Sequence, residues 1–362
     1  MRKVVFGRCV DLCVNLVQMR YSLFLFALIF VFCKNEAPDK QLVVRFSQIS
    51  LLDAPGKKSK ELRTLRQGES VTDLNETSRF ESFLVFQDQN SQSPWIKVRA
   101  SDNSTGWVFA DALRPARESD DWLLHKRLQC YFGSVLTERR TRYLDSDKPA
   151  GEGDFAGRYR EAVALRDTMM YLLSRRAEPA EAGMSPDFSW LADALPGFVF
   201  QYVAEGTQPY LFTDFRYWMQ QAEGLNSEQV NTFLSACNTA FPRDSIESFL
   251  PAWKFQLTEY EAASQLGTGA HLKMLHRIEI ALKKGTLFTP ELSAFKEAVL
   301  DDVLNHKTVY WQSGELIRKE LQQIIDSGLR ILDARDQATL QARLLMFEDP
   351  EANGIRVDAR SR

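Results

Sequence analysis

Hydrophobic residues along this chain follow three patterns in turn. From Tyr21 to Phe32 the run YSLFLFALIFVF is apolar throughout apart from Tyr21 and Ser22. From Gln41 to Pro115 short apolar stretches alternate with polar positions, the period of half-buried strands. Beyond Pro115 the spacing lengthens to about 3.6, the period of helices with one apolar face. The pattern predicts an α+β multidomain chain. It has a leader and tether over 1–40, a small β-barrel over 41–115, an all-α helical domain over 118–348 and a loose polar tail over 349–362. The proline-containing joint Arg114-Pro115-Ala116-Arg117-Glu118-Ser119 separates the two periods, each of which buries its own apolar face.

The first run is about a dozen residues, against the ~20 that a membrane-crossing helix needs. It matches the core of an export signal, with Arg20 as its positive flank and Lys34-Asn35-Glu36 as the polar segment beyond. Met19 directly precedes Arg20, and reading from Met19 gives a compact leader. Reading from Met1 places Asp11 in an unusually long flank. Cys33 closes the run, and the arrangement resembles a bacterial lipoprotein signal, which makes Cys33 a lipidation candidate. The residue before it, Phe32, is larger than that family uses. The other reading is an uncleaved anchor with an incidental cysteine.

Within the β region, Leu42 to Phe46 and Ile49 to Leu52 read as strands, and Asp53-Ala54-Pro55-Gly56 as a turn. Leu62, Leu65, Val71 and Leu74 follow around Gly68, which suits a tight turn. Phe83 to Phe86, Trp95 to Arg99 and Gly106 to Ala110 complete five or six short strands, which points to a barrel. Three segments resemble the bacterial SH3-like domain family: Leu65-Arg66-Gln67-Gly68-Glu69-Ser70-Val71, Trp95-Ile96-Lys97-Val98, and Gly106-Trp107-Val108. Asp53-Ala54 before Pro55 departs from the family's polar and basic pair. The resemblance implies an SH3-like barrel that binds cell-wall peptides or partner proteins without catalysing a reaction. Trp95 and Trp107 are the module's ligand-binding candidates, with packing in the barrel the favoured reading for Trp107. Trp95, which follows Pro94 at a strand start, is expected to keep one wet edge, as aromatic residues in binding grooves do.

The helical region reads as nine or ten helices with almost no strand signal. Trp122 to Leu136 and Phe155 to Leu173 form the first two, separated by a polar break from Asp145 to Asp154. Ser185-Pro186 opens a helix through Trp190 and Leu195. Leu211, Phe212, Phe215, Trp218 and Met219 make one wide apolar stripe. Tyr217 lies off that stripe, so Tyr217 and Trp218 are candidates for stacking on a ligand. Val230 to Cys237, Trp253 to Tyr260, a helix from Thr289-Pro290, Leu316 to Ile325 and Leu340 to Phe347 follow. No fixed-period repeat marks a solenoid.

Composition narrows the function. The net charge of −3 provides no basic excess for nucleic acid. The five cysteines form no CxxC pair, and no zinc spacing occurs, so no metal or other cofactor is expected. Cys130 and Cys237 read as free buried thiols. Ser293-Ala294-Phe295-Lys296 and Ser101-Asp102-Asn103 match two motifs of penicillin-recognising enzymes, but in reversed order and without the third. His271 and His276, five apart, suit surface or capping roles, and Asp301-Asp302 suits a solvated face. The chain therefore reads as an exported, membrane-anchored envelope protein, non-catalytic, with a cell-wall peptide or an envelope protein as partner. The alternative is a cell-wall hydrolase, or a regulator of one, with its site among the helices. If Cys33 carries the anchor, Cys33→Ala releases the protein from membranes and abolishes labelling by a fatty-acid probe. Unchanged membrane association with an unlabelled wild type overturns that reading.

Overall fold

Seven strands form one sheet: β1 (Gln41–Val44), β2 (Gln48–Leu52), β3 (Glu61–Arg66), β4 (Ser70–Phe86), β5 (Gln89–Ala100), β6 (Thr105–Phe109) and β7 (Leu113–Pro115). The structure, a computed structural model, describes residues 41–86, 89–117, 121–176, 186–258 and 261–357. The leader and Cys33 lie outside these. The strand order is β3-β2-β6-β5-β4-β1-β7, and the sheet curls into an antiparallel half-barrel. Alternation places Leu42, Val44, Leu51, Leu65, Val71, Ile96, Val98 and Val108 inside, each at most 2% exposed. This is one strand more than the sequence pattern separates. The pattern also divides β4, which is continuous. Asn75 sits within it at φ 61°, its N–H held by the Asp73 carboxylate at 2.7 Å.

Gly106 is fixed by crowding. A Cβ there would lie 2.5 Å from the Leu52 carbonyl oxygen and 2.8 Å from Leu51 Cγ. Only a glycine lets β6 approach β2 this closely, which fixes the position of the next residue, Trp107.

The described residues form two compact units. One comprises 41–78 and 93–122, the other 79–92 and 123–357. The tip of the β4–β5 hairpin therefore belongs to the second unit. There Glu81, its side chain 2% exposed, accepts hydrogen bonds from Arg127 Nε at 3.2 Å, Tyr131 Oη at 3.0 Å and Gln92 Nε2 at 2.5 Å.

Eight α-helices carry the second unit among the described residues. They are α1 (Trp122–Leu144), α2 (Glu152–Ser174), α3 (Phe215–Ala222), α4 (Glu228–Ala240), α5 (Ala270–Lys284), α6 (Thr289–Leu304), α7 (Gly314–Asp326) and α8 (Ala334–Met346). Gly133, at φ 77°, kinks α1. Strands interrupt the helices, contrary to the all-α expectation. A hairpin pairs β8 (Phe198–Val203) with β9 (Gln208–Thr213), and a small sheet joins β10 (Lys254–Gln256), β11 (Ala262–Ser264) and β12 (Val309–Tyr310). The stripe from Leu211 to Met219 thus spans two elements. Leu211 and Phe212 end a strand, Asp214 caps the next helix by accepting from Arg216 N, and Phe215 and Trp218 are helical. A strand end and a helix start facing the same core imitate a continuous helical period. Trp190 lies in a short 3-10 turn, Ser189–Asp193, and Trp253 precedes a strand rather than lying on a helix.

Among the described residues Cys130 and Cys237 are free and buried, and burial pushes the Cys237 thiol well above its ordinary range. Because Gly106 has no room for a side chain, Gly106→Ala should destabilise the first unit by about 2 kcal/mol. Denaturant melts followed by tryptophan fluorescence check this, and an unchanged midpoint would contradict the close approach of β6 to β2.

Candidate functional site

The outer face of the curled sheet is where the tryptophans expected to bind a ligand lie. Trp95 pairs across the strands with Phe109, Lys97 with Trp107 and Arg99 with Thr105, so all six side chains share one face. Their exposure differs along it. Trp95 is 3% exposed and Phe109 fully buried, their rings meeting edge to face with centroids 5.6 Å apart. Trp107 is half-buried. The roles expected from sequence are therefore reversed: Trp95 is the packed ring and Trp107 the one with a wet edge. Pro94 is itself buried, so the strand start holding Trp95 lies inside the unit.

Polar groups surround Trp107, and most are already engaged. Lys97 Nζ lies 3.0 Å from both Glu76 carboxylate oxygens. Trp107 also pairs with Leu52 on the other side. Nearby on β2 and β3, Glu61 accepts from Ser50 Oγ at 2.7 Å and from Thr64 Oγ1 at 2.6 Å. These two hydroxyls, Thr64 foremost, hold the Glu61 carboxyl below its ordinary range. The surface thus offers one aromatic face bordered by fixed hydrogen-bonding groups. It suits stacking and directional contacts. The period-two pattern of Trp95-Ile96-Lys97 places Lys97 outward, but its pairing with Glu76 depends on strand register and left no sequence signal.

The β5–β6 turn contains Ser101-Asp102-Asn103. Asp102 caps the turn by accepting from Ser104 N at 2.9 Å and Ser104 Oγ at 2.5 Å, and it meets Arg63 Nη1 at 2.5 Å. Asn103 adopts φ 66°. The motif is therefore a hairpin turn. Its partner by resemblance, Ser293, lies on α6, where Lys296 is committed to Asp336 of α8 at 2.5 Å.

Trp218 is fully buried, edge to face with Phe155 and Tyr159 at centroid distances of 5.8 and 5.0 Å, and so is core rather than a ligand platform. Tyr217 is half-buried, over Gly197, whose φ of 86° and absent Cβ leave room for the tyrosine ring. A Cβ there would come within 2.7 Å of Tyr217 Cδ1. His271 and Asp302 are corrected too. Both are buried, with His271 Nε2 2.9 Å from Asp302 Oδ2, so neither is a surface group. Asp302 also lies 3.8 Å from Lys254 Nζ. Among the described residues, no group of three His, Cys, Asp or Glu side chains is placed to hold a metal ion, and no helix is long and apolar enough to cross a membrane.

No known protein family, no curated protein and no solved structure matches this chain.

Hydrogen bonds from the Ser104 hydroxyl and amide, followed by Arg63, bring the Asp102 carboxyl down to about 2 from 3.8. A carboxyl with a depressed pKa favours the folded state above its unfolded value, and that contribution is lost as pH falls through the folded value. The Asp102 carboxyl signal should therefore titrate near pH 2 by NMR, and Ser104→Ala should move it upward towards 3.8. An unshifted midpoint in Ser104→Ala would remove Ser104 as the cause.

Proposed function

We propose that this chain is an exported, membrane-anchored envelope protein that binds rather than catalyses. Its N-terminal SH3-like module holds a peptide, a cell-wall element or a protein partner. The observation that carries this reading is Trp107, half-buried on the outer face of the curled sheet beside the Lys97–Glu76 pair. An aromatic ring with one wet edge and fixed polar neighbours gains contact area at little entropic cost when a ligand covers it. The close approach at Gly106 supports the same reading, because it holds that ring at a defined place on the sheet. The leader-like run before Cys33 supports export, and the polar segment after it supports a tether.

The test is co-sedimentation of the full chain with insoluble cell-wall peptidoglycan, combined with photo-crosslinking from position 107 in cells. Wild type is expected to sediment, and Trp107→Ala to lose about tenfold in affinity, the scale of one aromatic contact in an interface. Absence of sedimentation together with absence of any crosslink from position 107 would end the proposal.

A further inference from the structure

The solvent side of α5 carries one sign of charge. Lys273, His276, Arg277, Ile280 and Lys284 are all exposed. They recur at i, i+3, i+4, i+7 and i+11, so they form one stripe along the helix. At ~1.5 Å per residue the stripe is roughly 16 Å long. Lys283 is exposed beside it. The one carboxylate of the helix, Glu279, is only 6% exposed. The opposite side of α5 is taken up by the core, where His271, Met274, Leu275, Ile278 and Ala281 are buried. The charged side is therefore the part of α5 left to meet a partner.

Two of the cations have reasons inside the fold. Lys283 Nζ meets Glu279 at 2.6 Å, and Lys284 Nζ meets Glu228 of α4 at 2.8 Å. Both lie in the last turn, where positive charge suits the helix dipole. Lys273 and Arg277 have no such reason, and neither forms an ion pair among the described residues. They stand four apart, a spacing at which like charges repel and weaken a helix. Lys273 is also near the positive end of the α5 dipole, where a cation is disfavoured. The exposed carboxylates of the adjoining helix α6, Glu297 and Asp301, make no ion pair with either. Ile280, 42% exposed, sits in the middle of the stripe.

We propose that this face of α5 docks on the surface of an anionic lipid bilayer, with Lys273 and Arg277 at the headgroup phosphates and Ile280 reaching between them. Charge complementarity selects this partner. A bilayer presents negative charge as a continuous plane, so cations spread along a line all gain from its field, each adding its share. An aliphatic side chain between cations can enter the headgroup boundary while the charges stay at its surface. The net charge of −3 confines the attraction to this face of the molecule. The proposal rests on the membrane-anchored reading above, since an anchor holds α5 at a high local concentration beside the bilayer.

The test uses the full chain with vesicles of phosphatidylcholine, alone or mixed with phosphatidylglycerol. A photo-crosslinking residue at position 280 reports whether this face meets lipid. Capture on the anionic vesicles should exceed capture on the neutral ones by at least about tenfold, and high salt should abolish the excess. Lys273→Glu combined with Arg277→Glu should remove at least about tenfold of the capture. The melting temperature should not fall, because both side chains are exposed and unpaired. The same crosslinker at Leu345 of α8, exposed but outside the stripe, should show no anionic excess. Cys33→Ala separates this proposal from the anchor reading. Anionic capture from position 280 that persists in Cys33→Ala supports the stripe whether or not the anchor exists. Membrane association that depends on Cys33, with no lipid captured from position 280, overturns the stripe and leaves the anchor standing. Capture of protein at position 280, a second copy of this chain included, overturns it as well. So does lipid capture that ignores both salt and the double substitution.

Discussion

Four backbone N–H groups converge on one buried carboxylate, and the C-terminal helices depend on it. Glu320, on α7 and 2% exposed, accepts from Gly267 N and Gly269 N through one oxygen, and from His271 N and Leu272 N through the other, at 2.5 to 3.1 Å. The first N–H groups of a helix have no partner within it, and burying them unpaired would cost more than most side-chain contacts return. Glu320 satisfies two of those of α5, on His271 and Leu272, together with two N–H groups of the preceding turn, from another helix, and its carboxylate sits at the positive end of the α5 dipole. The residue at the N-cap, Gly269, has no side chain to do this locally. The orientation of α5 against α7 is therefore set by electrostatics as much as by the buried Leu275, Ile278, Ile317 and Leu321.

The same device recurs wherever an irregular segment must be buried in the second unit. Arg140 donates to the carbonyls of Asp193 and Ala194 at the end of the 3-10 turn. Arg166 reaches the Leu211 carbonyl and Glu247, and Glu247 in turn accepts from Thr213 N and Oγ1. Arg343 donates to the carbonyls of Val303 and Asn305 and to the Tyr310 hydroxyl. Each arginine is at most 6% exposed. Such side chains end on carbonyls at the edges and ends of elements and in the loops between them. They let two small strand pairs interrupt a helical body without leaving polar backbone stranded.

What the sequence disclosed was what is encoded locally. The first-turn proline of α6 and the alternation around Ile96 and Val98 each sit within a few residues of the feature they produce. Features decided by distant partners were hidden. Trp95 and Trp107 have the same period and the same outward sense, yet one is sealed against Phe109 and the other is wet, and nothing within either strand distinguishes them. Phe198, Phe200 and Tyr202 do alternate, as a strand requires, but the apolar spacing across Asp214 suggested a helix and masked their partner strand. His271 and Asp302 look like surface polar residues in sequence because the partners that let them be buried, each other and Lys254, are distant along the chain. Trp107 was legible as an aromatic at a strand position, whereas its exposed edge was not.

The β4–β5 hairpin has its base in one unit and its tip in the other. The second unit is therefore discontinuous along the chain. Residues 79–92 leave the ribosome before Arg127 and Tyr131, the groups that will neutralise and bond Glu81, have been made. Until α1 is made, the Glu81 carboxylate has Gln92 of its own hairpin beside it but lacks the Arg127 and Tyr131 donors. The order of synthesis thus keeps the second unit open until its helices arrive, and a chain arrested early in α1 holds a half-written structure. The contacts that complete the second unit thus join residues made early to residues made after the first unit's last strand.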